Sequence, residues 1–311
     1  MAVRIAEEWL ATCGGCEVTI LDLGEALLDI LPKLEFVHMP VIMDHKYYGQ
    51  KGERGDLEIP EAEIGLISGG IRNEENKRIA EEMRKKCKTI VAVGSCANFG
   101  GIPALGNLYL TEEIFEKVYR KSKSTEPSDT PREDIPGLTD RVYSVGEVIK
   151  VDVGLPGCPT TPELVAEALT ALLAGRPFKL PERSVCDDCP LKREKKTVTK
   201  LKRPLEPVEF KPGQKWEEIR CYMEQGFLCQ GPATRSGCGG SEKIPRCIKA
   251  YMPCRGCFGP IREGANPMVD MMGALSSIGL DPKEIVDRAA TFNRFIGVVG
   301  RLRPLPKKPV K

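Results

Sequence analysis

The 311-residue chain has no run approaching the ~18 apolar residues needed to cross a bilayer, so a membrane span is not expected. Its first residues, MAVRIAEEWLATCGGC, show neither a charged region ahead of a long apolar stretch nor a twin-arginine pair, which points to a cytoplasmic protein. An excess of one charge sign is missing too. The 46 basic and 44 acidic residues are interspersed and leave +2, too little for a nucleic-acid footprint or a polybasic membrane patch. No GxGxxG, Walker A or GxSxG motif occurs, which removes nucleotide hydride transfer, phosphate cleavage and serine hydrolysis as leading functions. Histidine is nearly absent. His38 falls on an expected strand and His45 in an expected loop, and neither accompanies a nucleophile motif, so both read as structural.

What the chain has in quantity is cysteine. Thirteen are arranged as three CxxC pairs, Cys13/Cys16, Cys186/Cys189 and Cys254/Cys257, and seven singles. Six singles, Cys96, Cys158, Cys221, Cys229, Cys238 and Cys247, could complete three four-cysteine sites with the pairs and leave Cys87 over. A reducing compartment does not keep so many thiols as disulfides, so metal is the first expectation. Cys87 follows Lys85 and Lys86 at an expected helix end and reads as a buried, inert thiol.

Along the first ~180 residues, short apolar runs alternate with helical patterns, as in a doubly wound parallel α/β sheet. Expected strands are Arg4–Leu10, Phe36–Ile42, Ile64–Ser68, Thr89–Val93 and Val148–Val153. Asn73–Lys86 reads as an amphipathic helix, and Thr161-Pro162 as an N-cap and first helical position, with Gly175 at the far end. Lys121–Gly137, polar and rich in Ser, Thr and Pro, reads as a surface insertion. From Cys186 to Pro260, eight cysteines sit among many Gly and Pro with little periodicity, a composition that needs metal to fold. Its basic run, Lys192–Arg203, reads as a solvated linker or partner-facing loop, and Pro267–Leu280 as a Met-rich core helix. The expected division is therefore 1–180, 181–265 and 266–311.

On such a sheet Cys13, Cys16, Cys96 and Cys158 all follow strands, at the carboxyl edge where open α/β sheets bind ligands. Glycines at Gly14, Gly15, Gly94, Gly100, Gly101 and Gly157 free backbone N–H groups to approach an inorganic core. Zinc is the alternative. A zinc ribbon pairs two close CxxC units, whereas here each group joins one close pair to two scattered cysteines, and Cys158-Pro159 and Cys189-Pro190 have the CP form common among cluster ligands.

The motifs CGGCE at Cys13–Glu17, ISGG at Ile67–Gly70, GSCANFGGIPA at Gly94–Ala104 and LPGCP at Leu155–Pro159, with the cysteine series Cys186 to Cys257, resemble the small subunit of [NiFe] hydrogenases over nearly the whole chain. The resemblance implies a flavodoxin-like domain followed by a small irregular iron–sulfur domain. It implies a proximal [4Fe–4S] cluster on Cys13, Cys16, Cys96 and Cys158, a distal one on Cys186, Cys189, Cys221 and Cys229, and a medial one on Cys238, Cys247, Cys254 and Cys257. In the best-known periplasmic members, the first distal ligand is histidine and a proline leaves the medial cluster with three irons; Cys186 and Cys247 stand in those places here. Three all-thiolate [4Fe–4S] clusters of low potential follow. Glu17 takes the family's acidic position beside the proximal cluster, for an interface or proton-related role or simply as a carboxylate at a helix N-terminus.

Within the family the chain is similar to the cytoplasmic methyl viologen-reducing branch of methanogenic archaea. The compact CxxCxxCxxxCP run of deazaflavin-reducing relatives is absent. The resemblance implies an electron relay with no catalytic residue of its own. Electrons from hydrogen, split on a nickel–iron large subunit, would pass through three clusters to a small iron–sulfur acceptor and towards heterodisulfide reductase. Alternatives are a zinc-stabilised interaction protein, a relay subunit of a quinone or flavin oxidoreductase, and a deazaflavin-reducing or sulfhydrogenase small subunit.

Overall fold

Strands of a parallel sheet covered on both faces must be apolar almost throughout, and this constraint selects five segments. The computed structural model describes residues 2–304 except 41, 42, 44, 195, 196 and 204. The strands are β1 (Val3–Trp9), β2 (Leu34–His38), β3 (Ala62–Ser68), β4 (Ile71–Asn73), β5 (Cys87–Val93), β6 (Leu138–Tyr143) and β7 (Val153–Leu155). Five of them form one parallel sheet in the order β2-β1-β3-β5-β7, and β4 and β6 make a separate antiparallel pair. With that pair set aside, the order is the 2-1-3-4-5 of a flavodoxin-like sheet, with its switch point between β1 and β3.

Register decides where the site lies. Trp9 pairs with Ser68, Ser68 with Val93, and Val93 with Leu155, so four strands end in one row. The loops leaving that row carry Cys13, Cys16, Cys96 and Cys158. Behind the row Ile5, Ala6, Ile67, Ile90 and Ala92 are wholly or almost wholly buried and hold the strands in place.

Three expected strands lie where the apolar runs placed them, but two ends of the sheet differ. The second strand stops at His38, and Val41 and Ile42 lie outside the described residues. The last begins at Val153: Val145–Glu147 is a 3₁₀ turn, and Val145 and Ile149 plug the core from that loop instead of from a strand. Their burial, not a β ladder, explains the apolar run. The helix Glu74–Lys86 has Asn73 as N-cap, accepting from the Asn76 N–H at 2.7 Å, with acids in its first turn and Arg84, Lys85 and Lys86 in its last. Its Ile79, Ala80 and Met83 are buried. Pro162 opens the helix Pro162–Leu173, Gly175 follows it at φ +64°, and residues 121–137 contain no helix or strand.

The chain divides into two compact units, Met1–Pro162 with Phe295–Lys311, and Glu163–Arg294. These boundaries differ from 180/181 and 265/266, because the helix Pro267–Ser277 buries Met271 and Leu275 in the same core as Cys229 and Cys254. Apart from that helix and Pro162–Leu173, nearly all of which falls in it, the second unit has only short helical turns among the described residues, such as Val185–Asp188 and Arg246–Lys249. The basic run is not a free linker. Lys192 N–H donates to the Ile219 carbonyl, Val198 N–H to Ile278 and Lys202 N–H to Gly226, each at 2.8 Å, which straps the described part of the run onto the unit.

Removing the Asn73 cap tests the reading of its helix. Asn73→Ala is expected to weaken the first turn by about 1 kcal/mol, seen as roughly fivefold faster amide exchange at residues 74–76, with exchange in β5 unchanged.

Candidate metal centres

Cys13 and Cys16 flank the Gly14-Gly15 turn that opens the helix Gly15–Leu21. Cys96 is on the short helix Gly94–Phe99, and Cys158 follows β7. The four thiols are neighbours. Burial first, then the Glu17 carboxylate, pushes the Cys16 thiol up to about 12, with the Cys96 and Cys13 thiols adding to the effect. Cys96 is also pushed to about 12, by burial and by Cys158 and Cys13. Backbone N–H groups of Thr160 and Ile102 bond to Cys16 and Cys96 and favour their thiolates. Two glycines make the space. A Cβ at Gly94 would collide with Cys16 Sγ, and one at Gly101 would stand 2.5 Å from Cys96 Sγ; both backbones have positive φ, +82° and +55°. Cys13 and Cys158 are exposed beside them.

Two buried carboxylates sit at the end of β1, on opposite faces because successive strand residues alternate. Glu7 is 1% exposed and lies against Glu17, itself 2% exposed. Burial, then the charges of Glu17 and Glu8, raises the Glu7 carboxyl to about 9, so it stays protonated at neutral pH. Ser68 Oγ–H donates to Glu17 Oε1. On the other face Glu8 Oε2 accepts from the Tyr47 hydroxyl at 2.5 Å and lies 2.9 Å from His38 Nε2, while His38 Nδ1 stands 3.0 Å from His45 Nδ1. The chain's two histidines are thus one relay from a fully buried ring to a partly exposed one, and burial with the nearby His38 and Arg54 lowers the His45 pKa. Sequence reasoning missed Glu7, Glu8 and this pairing. The signal was there in VRIAEEW, two adjacent acids in a strand buried on both faces.

In the second unit the cysteines gather in two neighbouring groups. Cys186 is raised to about 12 by burial, with Cys189 and Cys221 adding, and Cys229 is raised by burial, Cys186 and Cys221. Cys238 is raised by burial and Cys247, and Cys254 by burial, Cys229, Cys247 and Cys257. Cys254 therefore touches both groups, and its N–H donates to Cys229 Sγ at 3.3 Å. Backbone N–H groups of Leu191, Gly231, Arg246 and Gly256 bond to Cys189, Cys229, Cys238 and Cys254. Cys87 stands apart, buried in the sheet core and raised to about 11 by burial.

The donor set fits a polynuclear iron–sulfur group. A buried thiol pushed this far up becomes a thiolate only beside a cation, and the N–H groups aimed at sulfur are those that hold cluster thiolates. A single tetrahedral zinc would draw thiols to about 3.8 Å from one another.

Residues 13–172 match the family described as NADH ubiquinone oxidoreductase, 20 Kd subunit, which makes the chain an oxidoreductase subunit built on the cysteine-edged sheet. It is 40% identical over 296 residues to a subunit of the F420-non-reducing hydrogenase vhu of Methanocaldococcus jannaschii, covering 95% of each chain. Among solved structures, one of an NAD+-reducing [NiFe]-hydrogenase in the H2-reduced state matches with TM-score 0.52 and 32% identity, over 58% of this chain and 96% of that one. A [NiFeSe]-hydrogenase of Dm. baculatum, 17% identical with TM-score 0.52, shares the fold over 85% of this chain and 96% of its own. The chain belongs to the small subunits of [NiFe] hydrogenases, in the branch of the F420-non-reducing enzymes of methanogens.

Gly94→Ala is expected to lower the iron bound per chain on anaerobic iron analysis, because its Cβ takes the room of Cys16 Sγ. Glu7 gives a pH test. It gains a proton on folding, so its contribution to stability is full below 4.5 and is lost as pH rises towards about 9. Glu7→Gln should remove that slope: between pH 6 and 8.5 the thermal transition of the as-isolated protein should fall less in the variant than in the parent.

Proposed function

We propose that the chain is the electron-relay subunit of a cytoplasmic [NiFe] hydrogenase and holds three [4Fe–4S] clusters. The proximal site is Cys13, Cys16, Cys96 and Cys158; the distal site is Cys186, Cys189, Cys221 and Cys229; the medial site is Cys238, Cys247, Cys254 and Cys257. The observation that carries this reading is the convergence of the first four on one sheet edge, with a second set of eight in the other unit, four of which, Cys221, Cys229, Cys238 and Cys254, pack in or against one core. Cubane clusters, when bound, supply one-electron carriers, which lets the two electrons of hydrogen travel separately.

The chain's own residues do the rest. Glycines admit the sulfurs, N–H groups stabilise the thiolates, and the buried walls exclude water. Exposed Cys13 and Cys158 share the proximal edge with exposed Trp9, Val18 and Leu21, apolar surface suited to the nickel–iron large subunit that splits hydrogen. No described helix is long and apolar enough to cross a membrane. From the distal site, as the resemblance of the sequence implies, electrons go to a small iron–sulfur acceptor and onward to heterodisulfide reductase.

Anaerobic iron, acid-labile sulfide and zinc analysis of the chain with its native partners, corrected for partner clusters, tests the set. About twelve iron and twelve sulfide per chain are expected; stoichiometric zinc with negligible sulfide would sink the relay. Cys254→Ser should keep the proximal cluster yet stop hydrogen-dependent reduction of the physiological acceptor, and undiminished reduction would refute a linear path.

A further inference from the structure

A cavity of about 570 Å³, within the range of small-molecule sites, opens in the second unit. Three separate stretches of chain bring Lys200, Lys202, Arg203, Arg255 and Arg294 to its wall, and Glu284 is the one acid that faces them among the described lining residues. The chain as a whole is nearly neutral, so this surplus is placed and not general. Lys202 pairs with Glu209 at 2.7 Å and sits 5.2 Å from the Phe227 ring centroid. Lys200, Arg203 and Arg255 make no ion pair among the described residues, and like charges around one concavity repel until an anion relieves them.

The rim is built, not incidental. Its basic segment is the strap noted above, held at Val198 and Lys202 by backbone hydrogen bonds of 2.8 Å. Gly226 lets the strap lie close, since a Cβ there would stand 2.9 Å from the Lys200 carbonyl oxygen. Below the cations, Phe227, Leu228 and Ile285 form an apolar floor. Cys254 is the only cysteine among the described lining residues, so the cavity borders the cysteine groups at that one thiol.

We propose that this cavity binds a small organic anion. Its phosphate or carboxylate groups sit among Lys200, Arg203 and Arg255, and an apolar or aromatic body lies on Phe227, Leu228 and Ile285. The site adjoins the electron relay proposed above at Cys254, and its argument does not depend on how the cysteines are grouped. The same rim repels dications, so viologen dyes do not enter.

The test is anaerobic titration of the native complex with FMN, followed by quenching of its fluorescence, with riboflavin, inorganic pyrophosphate and methyl viologen as comparison ligands. FMN should saturate one site per chain. Riboflavin, which lacks the phosphate, should bind at least ~10-fold more weakly, pyrophosphate should displace FMN, and methyl viologen should not. A K200Q/R203Q double variant should weaken FMN at least ~10-fold while iron content stays the same, and R255Q should weaken it in the same direction. Absence of saturable FMN binding and of pyrophosphate binding up to about 1 mM overturns the proposal. So does FMN affinity that the variants leave unchanged, or displacement of FMN by the viologen.

Discussion

Everything in the first unit depends on four strands ending in the same row. Because Trp9, Ser68, Val93 and Leu155 are paired through consecutive ladders, the loops that leave them start from one line, and thiols separated by up to 145 positions in sequence become neighbours. No local propensity could achieve this. It follows from a parallel sheet buried on both faces, whose apolar strands cannot slip register without exposing core side chains. The helices and caps hold the strands, and the glycines then remove the last steric obstacle at the edge.

The second unit solves a similar problem with little regular structure. Its cysteines are part of the hydrophobic core: Cys229 and Cys254 pack with Val185, Met271 and Leu275, and the Met-rich helix closes over them. Burial makes these two thiols, Cys229 and Cys254, poor thiolates by themselves. Fold and metal are accordingly interdependent there, whereas the sheet has an apolar core of its own.

Much of this was legible in the sequence because the signals were of kinds that sequence carries well. The strands β1, β3 and β5 are apolar runs, the helix ending at Lys86 shows its amphipathic period, and the CxxC pairs declare themselves. What was not legible depended on tertiary context. The run Val148–Val153 is apolar because its loop plugs the core, and nothing local separates that from a strand. His38 and His45 were read singly, since only the turn after β2 brings their rings together. The basic run looked like a solvated loop because backbone bonds to Gly226 and Ile278, far along the chain, are invisible in composition.

The single bond from the Cys254 N–H to Cys229 Sγ has a consequence for biogenesis. In the proposed grouping these two residues serve different clusters, so filling one site fixes the backbone that presents the sulfur of the other. On that grouping, a chain that has received one of these clusters would already be shaped for its neighbour, and maturation of the second unit would be cooperative. A damaged cluster on one side would in turn loosen the other, so oxidative injury here would spread to both sites and mark the subunit for replacement as a whole.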